Sequence, residues 1–579
     1  VVTDLQKNAS FEMTDKSKRV SQPRDLKMIV EKDVKIPLRD GAIVYADIFR
    51  PDGRAERFPA IMNIGPYQKD RLWIPPEDLE EKANPYLAWE TANPLWWCPR
   101  GYACVRVDAR GSGKSPGQSD PNSYQEAVDF YDAIEWIAHL HWCSGNIGTL
   151  GVSYHANCQW RVASLQPPSL KAIIPWEGRA DLYRDQAYHG GVFALGFLNT
   201  WISTNMAHNL IGRARSYNPN AFNNNMLWQW GSNNLDSDFW RIRSARWDKV
   251  TVPMYSVGNW TGVGLHLRGN TEGFMLAASK NKKLRIHSGT HFHPFHSEEG
   301  RIDQLRFFDY WLKGVDTGII DEPPVKLMIR TGGTLKDYKF RFENEWPLAR
   351  TQWTHMYLDL ATDRQTPDGS CEGAVTPDAP RSSRSASYAA SPPSHAGVSS
   401  SAPSQAAGSI GRTGISFQTA PLEQDTEVTG PVVLVIWVAS TTEDMDIFAT
   451  IRNVGPNGED IWEAGQQGWD QVPVTKGWLR ASHRKIDPEW SLPYRPYHAH
   501  NERQWLEPGK PVECHVEIWP TCMVFKKGHR IRIDIQPRDG VGTSAYGHYH
   551  ADYNIGAKNT VFTGGDKQSC LVLPVIPPK

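Results

Sequence analysis

The run Asn146-Ile-Gly-Thr-Leu-Gly-Val-Ser153-Tyr-His-Ala-Asn-Cys-Gln-Trp160 holds the residues best suited to covalent chemistry: an apolar stretch ends in Gly151-Val-Ser153-Tyr-His155 and continues into a helix-like segment. A serine on a sharp strand-to-helix turn presents its hydroxyl above the sheet, and the helix behind it aims backbone N–H groups at developing negative charge. That equipment suits attack on an ester or amide carbonyl through an acyl intermediate. Gly151 and Ala156 are the small residues a tight turn requires, whereas His155 stands where the commonest form of the motif has glycine. A second run, from Lys282 to His296, sets His287, His291, His293 and His296 just after a predicted strand, as candidates for general base. Four close histidines also raise a metal site, but they lack the spaced carboxylate and histidine partners of a recognised pattern, so no metal and no cofactor are expected.

These residues need a scaffold, and the sequence supplies one. Between about Lys35 and Gly178 short β-rich runs (PAIMNIG, YACVRVD, NIGTLGVS, LKAIIPWEG) alternate with helix-length segments such as SYQEAVDFYDAIEWIAHL. Near-continuous apolar strands alternating with helices imply a doubly wound, mostly parallel sheet covered on both faces. From about Asp185 to Arg246 the pattern turns to helical fragments rich in Asn and Trp, which reads as a cap inserted into the sheet domain. Strand rhythm returns with VTVPMYSVGN and KKLRIHSG, and the amphipathic RIDQLRFFDYWLKG closes the domain at Gly314. Beyond about Pro323 helices become scarce and strands repeat between Gly, Pro and Asn turns, as in an all-β sandwich. The expected division is 1–185 and 246–320 for an α/β domain, 186–245 for a helical cap and 321–579 for a C-terminal all-β domain. A Ser/Ala/Pro-rich insertion at about 366–409 reads as a poorly ordered surface loop.

Composition narrows the partners. Lysine plus arginine number 63 against 64 aspartate plus glutamate, and no single-sign block suits a polyanion, so nucleic acid is excluded. No run approaches the roughly 18 apolar residues of a membrane-spanning helix, and the first residues lack a signal peptide's apolar core; a cytoplasmic protein is expected. The eight cysteines form no Cys-x-x-Cys pair, so buried reduced thiols are expected. Tryptophan is abundant at 24 residues, and Trp201, Trp228, Trp230 or Trp240 could line an aromatic pocket for an apolar small-molecule substrate. The oligomeric state is not readable, although a homodimer is compatible. Gly111-Ser-Gly-Lys-Ser115 lacks the first glycine of a phosphate-binding loop, and Asp108 with Arg110 reads instead as a structural ion pair. His548 and His550 read as a surface pair on the β domain.

Several ordered motifs together carry a resemblance. Gly-Pro-Tyr67, Asp108-x-Arg-Gly-x-Gly-x-Ser115, Gly151-Val-Ser-Tyr-x-Ala with Gln159-Trp160, Ala180-Asp-Leu-Tyr-Arg184, Phe307-Phe-Asp-x-Trp-Leu-Lys-Gly314, Thr429-Gly-Pro431 and Asn559-Thr-x-x-x-Gly-Gly565 follow one another along nearly the whole chain. In these the sequence resembles the cocaine esterase and X-Pro dipeptidyl-peptidase group of α/β-hydrolases. The resemblance implies an α/β-hydrolase sheet with a helical cap and a C-terminal jelly roll, and a serine hydrolase that uses no cofactor. It implies Ser153 as nucleophile, His291 as base with His293 two residues away as competitor, and Tyr67 with the backbone N–H of Tyr154 as oxyanion donors.

The acid of the triad departs from that pattern. Relatives carry aspartate in a Gly-x-x-Asp turn, and here the turn reads Gly258-Asn-Trp-Thr261, whose threonine cannot bear the charge that stabilises an imidazolium. Glu177 follows a strand at the sheet edge where such groups converge, a place not normally acidic in the esterase-like relatives. Glu177 is therefore the expected acid, with Asn259 as a neutral alternative and Asp181 and Asp185 behind it. A serine diverted to acyl exchange, cyclisation or C–C hydrolysis, and a binding scaffold with a weakened triad, are the competing readings.

Overall fold

The computed structural model describes residues 15–578 except 54, 78, 207–224, 366–370, 391–413, 467, 469–470, 540–546, 549–553 and 555. The first unit is built on a ten-stranded sheet. Its strands are β1 (Met28–Pro37), β2 (Ile43–Pro51), β3 (Phe58–Gly65), β4 (Ala103–Asp108), β5 (Cys143–Val152), β6 (Leu170–Trp176), β7 (Met254–Asn259), β8 (Lys282–His287), β9 (Val325–Ile329) and β10 (Lys339–Glu343). They lie in the order β1-β2-β4-β3-β5-β6-β7-β8-β9-β10. Pairing from β4 through β9 is parallel and the outer strands are antiparallel. Strands β3 and β4 are buried at every residue, which explains why they read as unbroken apolar runs rather than alternating ones.

Helices α1 (Tyr124–Ala138) and α2 (Tyr154–Ser164) pack on the sheet. Ser123 caps α1 by accepting from the Glu126 N–H. The described cap residues include α3 (Leu195–Trp201) and α4 (Met226–Ser232). Helix α5 (Leu267–Leu276) follows β7, and α6 (Glu298–Lys313) ends at Gly314, whose φ of 70° forms the left-handed C-cap.

The C-terminal unit is a 12-stranded sheet. Thr426–Ser440 pairs antiparallel with Val512–Phe525 on one side and with Cys570–Ile576 on the other, so the strand path returns to its start in a barrel-like circuit. Part of the Ser/Ala/Pro-rich insertion departs from the loop expected there. Cys371–Thr376 and Arg384–Ala389 are strands: the first is paired on both sides, with Gln352–Gln365 and Ile415–Gln418, and the second pairs with Lys558–Thr563 at the sheet edge, so backbone pairing holds a segment poor in large side chains. The rest of that insertion lies outside the described residues. His548 is not on the surface: it is buried between His189 and Asp539, with bonds of 2.8 and 3.0 Å, and His550 lies outside the described residues. Asp108 and Arg110 do not pair; Asp108 accepts from the Lys69 and Lys114 N–H groups, and Arg110 binds Asp129.

The sheet domain and the β-unit meet around Arg268 on α5, which donates to Asp185 and to Glu517, each at 2.9 Å. All three residues are largely buried, so the cation is what makes the two carboxylates tolerable there. Replacing Arg268 with Met should lower unfolding free energy by about 3–5 kcal/mol, because it strands both anions, and chemical denaturation measures it.

Candidate active site

Ser153 occupies the tip of the turn between β5 and α2 with φ 58° and ψ −115°. Its N–H donates to Trp176 O at 3.0 Å, and its carbonyl accepts from Ala156 and Asn157, so the strained residue is held from both sides. The histidine at the glycine-like position is accommodated by two glycines. A Cβ on Gly151 would lie 2.5 Å from His155 Cβ, and one on Gly65 would lie 2.4 Å from His155 Cε1. His155 donates its Nδ1–H to Ile64 O at 2.9 Å, and burial depresses its pKa to about 4. It is a neutral packing residue.

The imidazole that meets Ser153 is His266, just before α5: Ser153 Oγ lies 3.1 Å from its Nε2. Its sequence context gave one usable signal, a histidine in the same loop after β7 from which the expected aspartate is missing. His291 lies beside it, the two rings parallel within 10° at 5.2 Å between centroids. His291 Nδ1 is 2.6 Å from Glu177 Oε2 and its Nε2 is 3.2 Å from Glu90 Oε1. The structure thus brings His291 and Glu177 together but gives the contact with Ser153 to His266. His293 turns to Thr290 Oγ1 at 2.6 Å.

Glu177 is fully buried and adopts φ 48° directly after β6, with its N–H donating to Val257 O. Asn259 does not orient a histidine; its Nδ2 donates to Glu177 Oε1 at 3.2 Å and to Gly289 O, while its Oδ1 accepts from Thr261 N and Oγ1. Asp181 pairs with Arg184, and Asp185 with Arg268, both away from this cluster. Glu90, which the sequence did not single out, is buried at φ 60°, and its carbonyl accepts from Val152 N beside the elbow. Positive φ at Ser153, Glu177 and Glu90 costs roughly 1–2 kcal/mol per residue, strain concentrated where the chemistry is.

Tyr67 faces the same region. Its hydroxyl accepts from Trp201 Nε1 at 2.8 Å, which leaves its own hydrogen free to donate elsewhere. Burial, reinforced by Glu90, holds the phenol well above its ordinary pKa, so it stays protonated. Tyr154 opens α2, and as a first-turn residue its N–H has no intrahelical acceptor. Its hydroxyl is anchored to Glu126 at 2.6 Å. Of the tryptophans expected to line a pocket, only Trp201 reaches this site, stacking on Tyr154 with centroids 5.8 Å apart. Trp230 and Trp240 pack on each other inside the cap, and Trp228 is 75 % exposed. Large aromatics served cap packing there, which sequence clustering alone could not distinguish. The β-unit also contributes: Gln466 O accepts from the His291 N–H at 2.8 Å.

Charge divides the two histidines. Burial lowers His291, but Glu177 and then Glu90 outweigh it and raise its pKa to about 10. Burial, with His291 and Arg179 adding to it against a Gln466 hydrogen bond, pushes His266 well below its ordinary value. Burial raises Glu90. Near neutrality the site therefore holds an imidazolium at His291 and a neutral ring at His266 on the serine.

This architecture matches known proteins over almost the whole chain. The model of the X-Pro dipeptidyl-peptidase (S15 family) domain matches residues 40–293, and that of the X-Pro dipeptidyl-peptidase C-terminal non-catalytic domain matches 317–572. A CocE/NonD family hydrolase of known structure from Staphylococcus aureus is 30% identical, with TM-score 0.82 over 95% of this chain and 94% of that one. The chain belongs to the cocaine esterase (CocE/NonD) and X-Pro dipeptidyl-peptidase (S15) group of α/β-hydrolases. It is a serine hydrolase with an α/β-hydrolase domain and a C-terminal β-unit. Among relatives of this S15 member, cocaine esterase from Rhodococcus sp. is 25% identical over 94% of this chain and 98% of that protein. The structure of an α-amino acid ester hydrolase shares the fold at 16% identity, TM-score 0.69, over 96% of this chain and 98% of that one.

The raised pKa of His291 ties stability to pH. The folded chain binds that proton more tightly than the unfolded one, so the contribution is complete below about pH 6.5 and is lost as pH rises toward about 10. Glu177→Gln should flatten this alkaline decline, and melting temperatures of both proteins measured from pH 6 to pH 10 check it, a parallel decline counting against the pairing.

Proposed function

We propose that this hydrolase cleaves an ester or amide bond of a neutral, largely apolar small molecule through an acyl-enzyme on Ser153. The observation that carries this reading is the 3.1 Å contact between Ser153 Oγ on its strained turn and His266 Nε2. With its ring proton on Nδ1, neutral His266 offers a lone pair to the serine hydroxyl. It accepts the proton as Oγ attacks the carbonyl and returns it to the leaving group. Water then repeats the cycle to release the acid. Tyr67 and the Tyr154 N–H donate to the oxyanion, and Glu177 Oε2, 3.9 Å from His266 Nδ1, offsets the charge on the transient imidazolium. The β-unit, read as a jelly roll, and Trp201 of the cap wall the site and give the substrate an apolar surround.

A second assignment of the base is supported by the 2.6 Å Glu177–His291 pair, which has the form of a triad acid holding its histidine. In that version His291 exchanges Glu90 for Ser153 during the reaction. The pH dependence of kcat/KM separates the two, because a base must be unprotonated: activity is present above its pKa and falls as pH drops through it. With His266 as base the acid limb lies below pH 6.5, the ordinary value from which burial has lowered it. With His291 the rate would still be climbing toward pH 10. His266→Gln should lower kcat about 10²–10⁴-fold and slow labelling of Ser153 by a fluorophosphonate. A limb near pH 10 together with unchanged labelling of that variant would transfer the role to His291.

A further inference from the structure

Glu177 collects more imidazole nitrogens than acyl transfer requires. His291 Nδ1 is 2.6 Å and His266 Nδ1 3.9 Å from its Oε2, and His287 Nε2 is 3.4 Å from its Oε1. One donor atom each from Glu177, His266 and His291 lie within 4.8 Å of one another, all three residues being buried. His287 is fully buried, and its Nε2 has no hydrogen-bond partner. Its Nδ1 lies 3.3 Å from Ser288 O. Both ring nitrogens of His287 thus face oxygens that only accept, whereas a neutral imidazole carries one proton. A cation between His287 and Glu177 would resolve that conflict.

The outer atoms fit the same arrangement. Metal-bound histidines as a rule donate their second N–H to a carboxylate or carbonyl, which fixes the tautomer. His291 has Glu90 on its Nε2 side and His287 has Ser288 O on its Nδ1 side. We propose that Glu177, His266, His287 and His291 form an inhibitory site for a borderline-soft divalent cation of the zinc class. Three imidazoles with one carboxylate select such an ion over magnesium or calcium. Tetrahedral bonds of about 2.1 Å set donor atoms roughly 3.4 Å apart, so Glu177, His266 and His291 are already grouped for one ion, while His287, which meets the other carboxylate oxygen, joins as fourth donor once the carboxylate and its own ring turn toward that ion. Binding releases the His291 Nδ1 proton to solvent. Coordination through His266 Nδ1 moves that ring's proton to Nε2, which then donates to Ser153 Oγ and cannot accept from it. The metal thereby removes the base without touching the nucleophile.

The inhibitory effect rests on the reading of Ser153 and His266 given above, whereas occupancy is measured independently of it. Full-length protein stripped with chelator is titrated with cobalt(II), whose visible absorption reports tetrahedral N/O coordination, and with zinc against a chromophoric chelator. One ion per chain is expected, with affinity at least tenfold weaker in His287→Gln and in Glu177→Gln, each checked for native circular dichroism. Zinc should slow fluorophosphonate labelling of the unmodified protein in proportion to occupancy, and chelator should restore it. Absence of stoichiometric uptake at micromolar metal, equal affinity in both variants, or full labelling at saturating zinc would each overturn the site. Uptake in a protein whose serine never labels would leave the metal site standing and sink the hydrolytic base.

Discussion

A single carboxylate, buried at the end of a central strand, is the constraint around which this active site is arranged. Glu177 has no exposure to solvent, so its charge has to be met by neighbours. They come from separate parts of the chain: Asn259 at the end of β7, His287 at the end of β8, and His291 and His266 from the loops that follow. Parallel strands deliver this convergence, because each ends at the same edge of the sheet and every following loop starts there. Moving the carboxylate would leave His291 as a buried cation facing only Glu90, and would remove the countercharge from the ring on the serine.

Ser153, the proposed nucleophile, depends on a different constraint, steric rather than electrostatic. His155 is a large residue where a tight elbow favours a small one, and the fold answers by having no side chain at Gly151 and Gly65. Its ring bonds to the end of β3, so it also joins the elbow to the strand from which Tyr67 departs two residues later. Ser153 and Tyr67, the proposed nucleophile and oxyanion donor, are therefore positioned by one packed unit. Trp201 joins the cap to that unit through the Tyr67 hydroxyl.

Legibility in the sequence followed the range of the interactions. The elbow, the alternation of apolar strands with helices and the change to an all-β unit are local patterns written in consecutive residues, and they could be read. Glu177 was legible because a charged residue directly after an apolar strand has few places to go. Glu90 was not, since it lies in a loop whose path is set by tertiary packing and has no periodic or motif context, and His266 was passed over because its one signal, a place in the loop after β7, says nothing of where tertiary packing brings the ring. The tryptophans of the cap misled for the complementary reason: Trp230 and Trp240 fill an interior, and composition does not tell a cavity lining from a filling.

The missing aspartate after β7 then has a structural explanation. Strands β6 and β7 are neighbours, with Trp176 opposite Val257, so Glu177 stands beside Gly258 at the start of the turn that would have carried the acid. The carboxylate that meets His291 therefore stands one strand to the side of that turn. What remains in the old turn serves the new position, because Thr261 occupies the Asn259 carbonyl oxygen twice and so turns the amide nitrogen toward Glu177. An aspartate restored at 261 would set a second carboxylate against the Asn259 oxygen and near Glu177 in a buried space with one imidazolium. The threonine thus supports the Asn259 amide in the orientation in which it donates to Glu177.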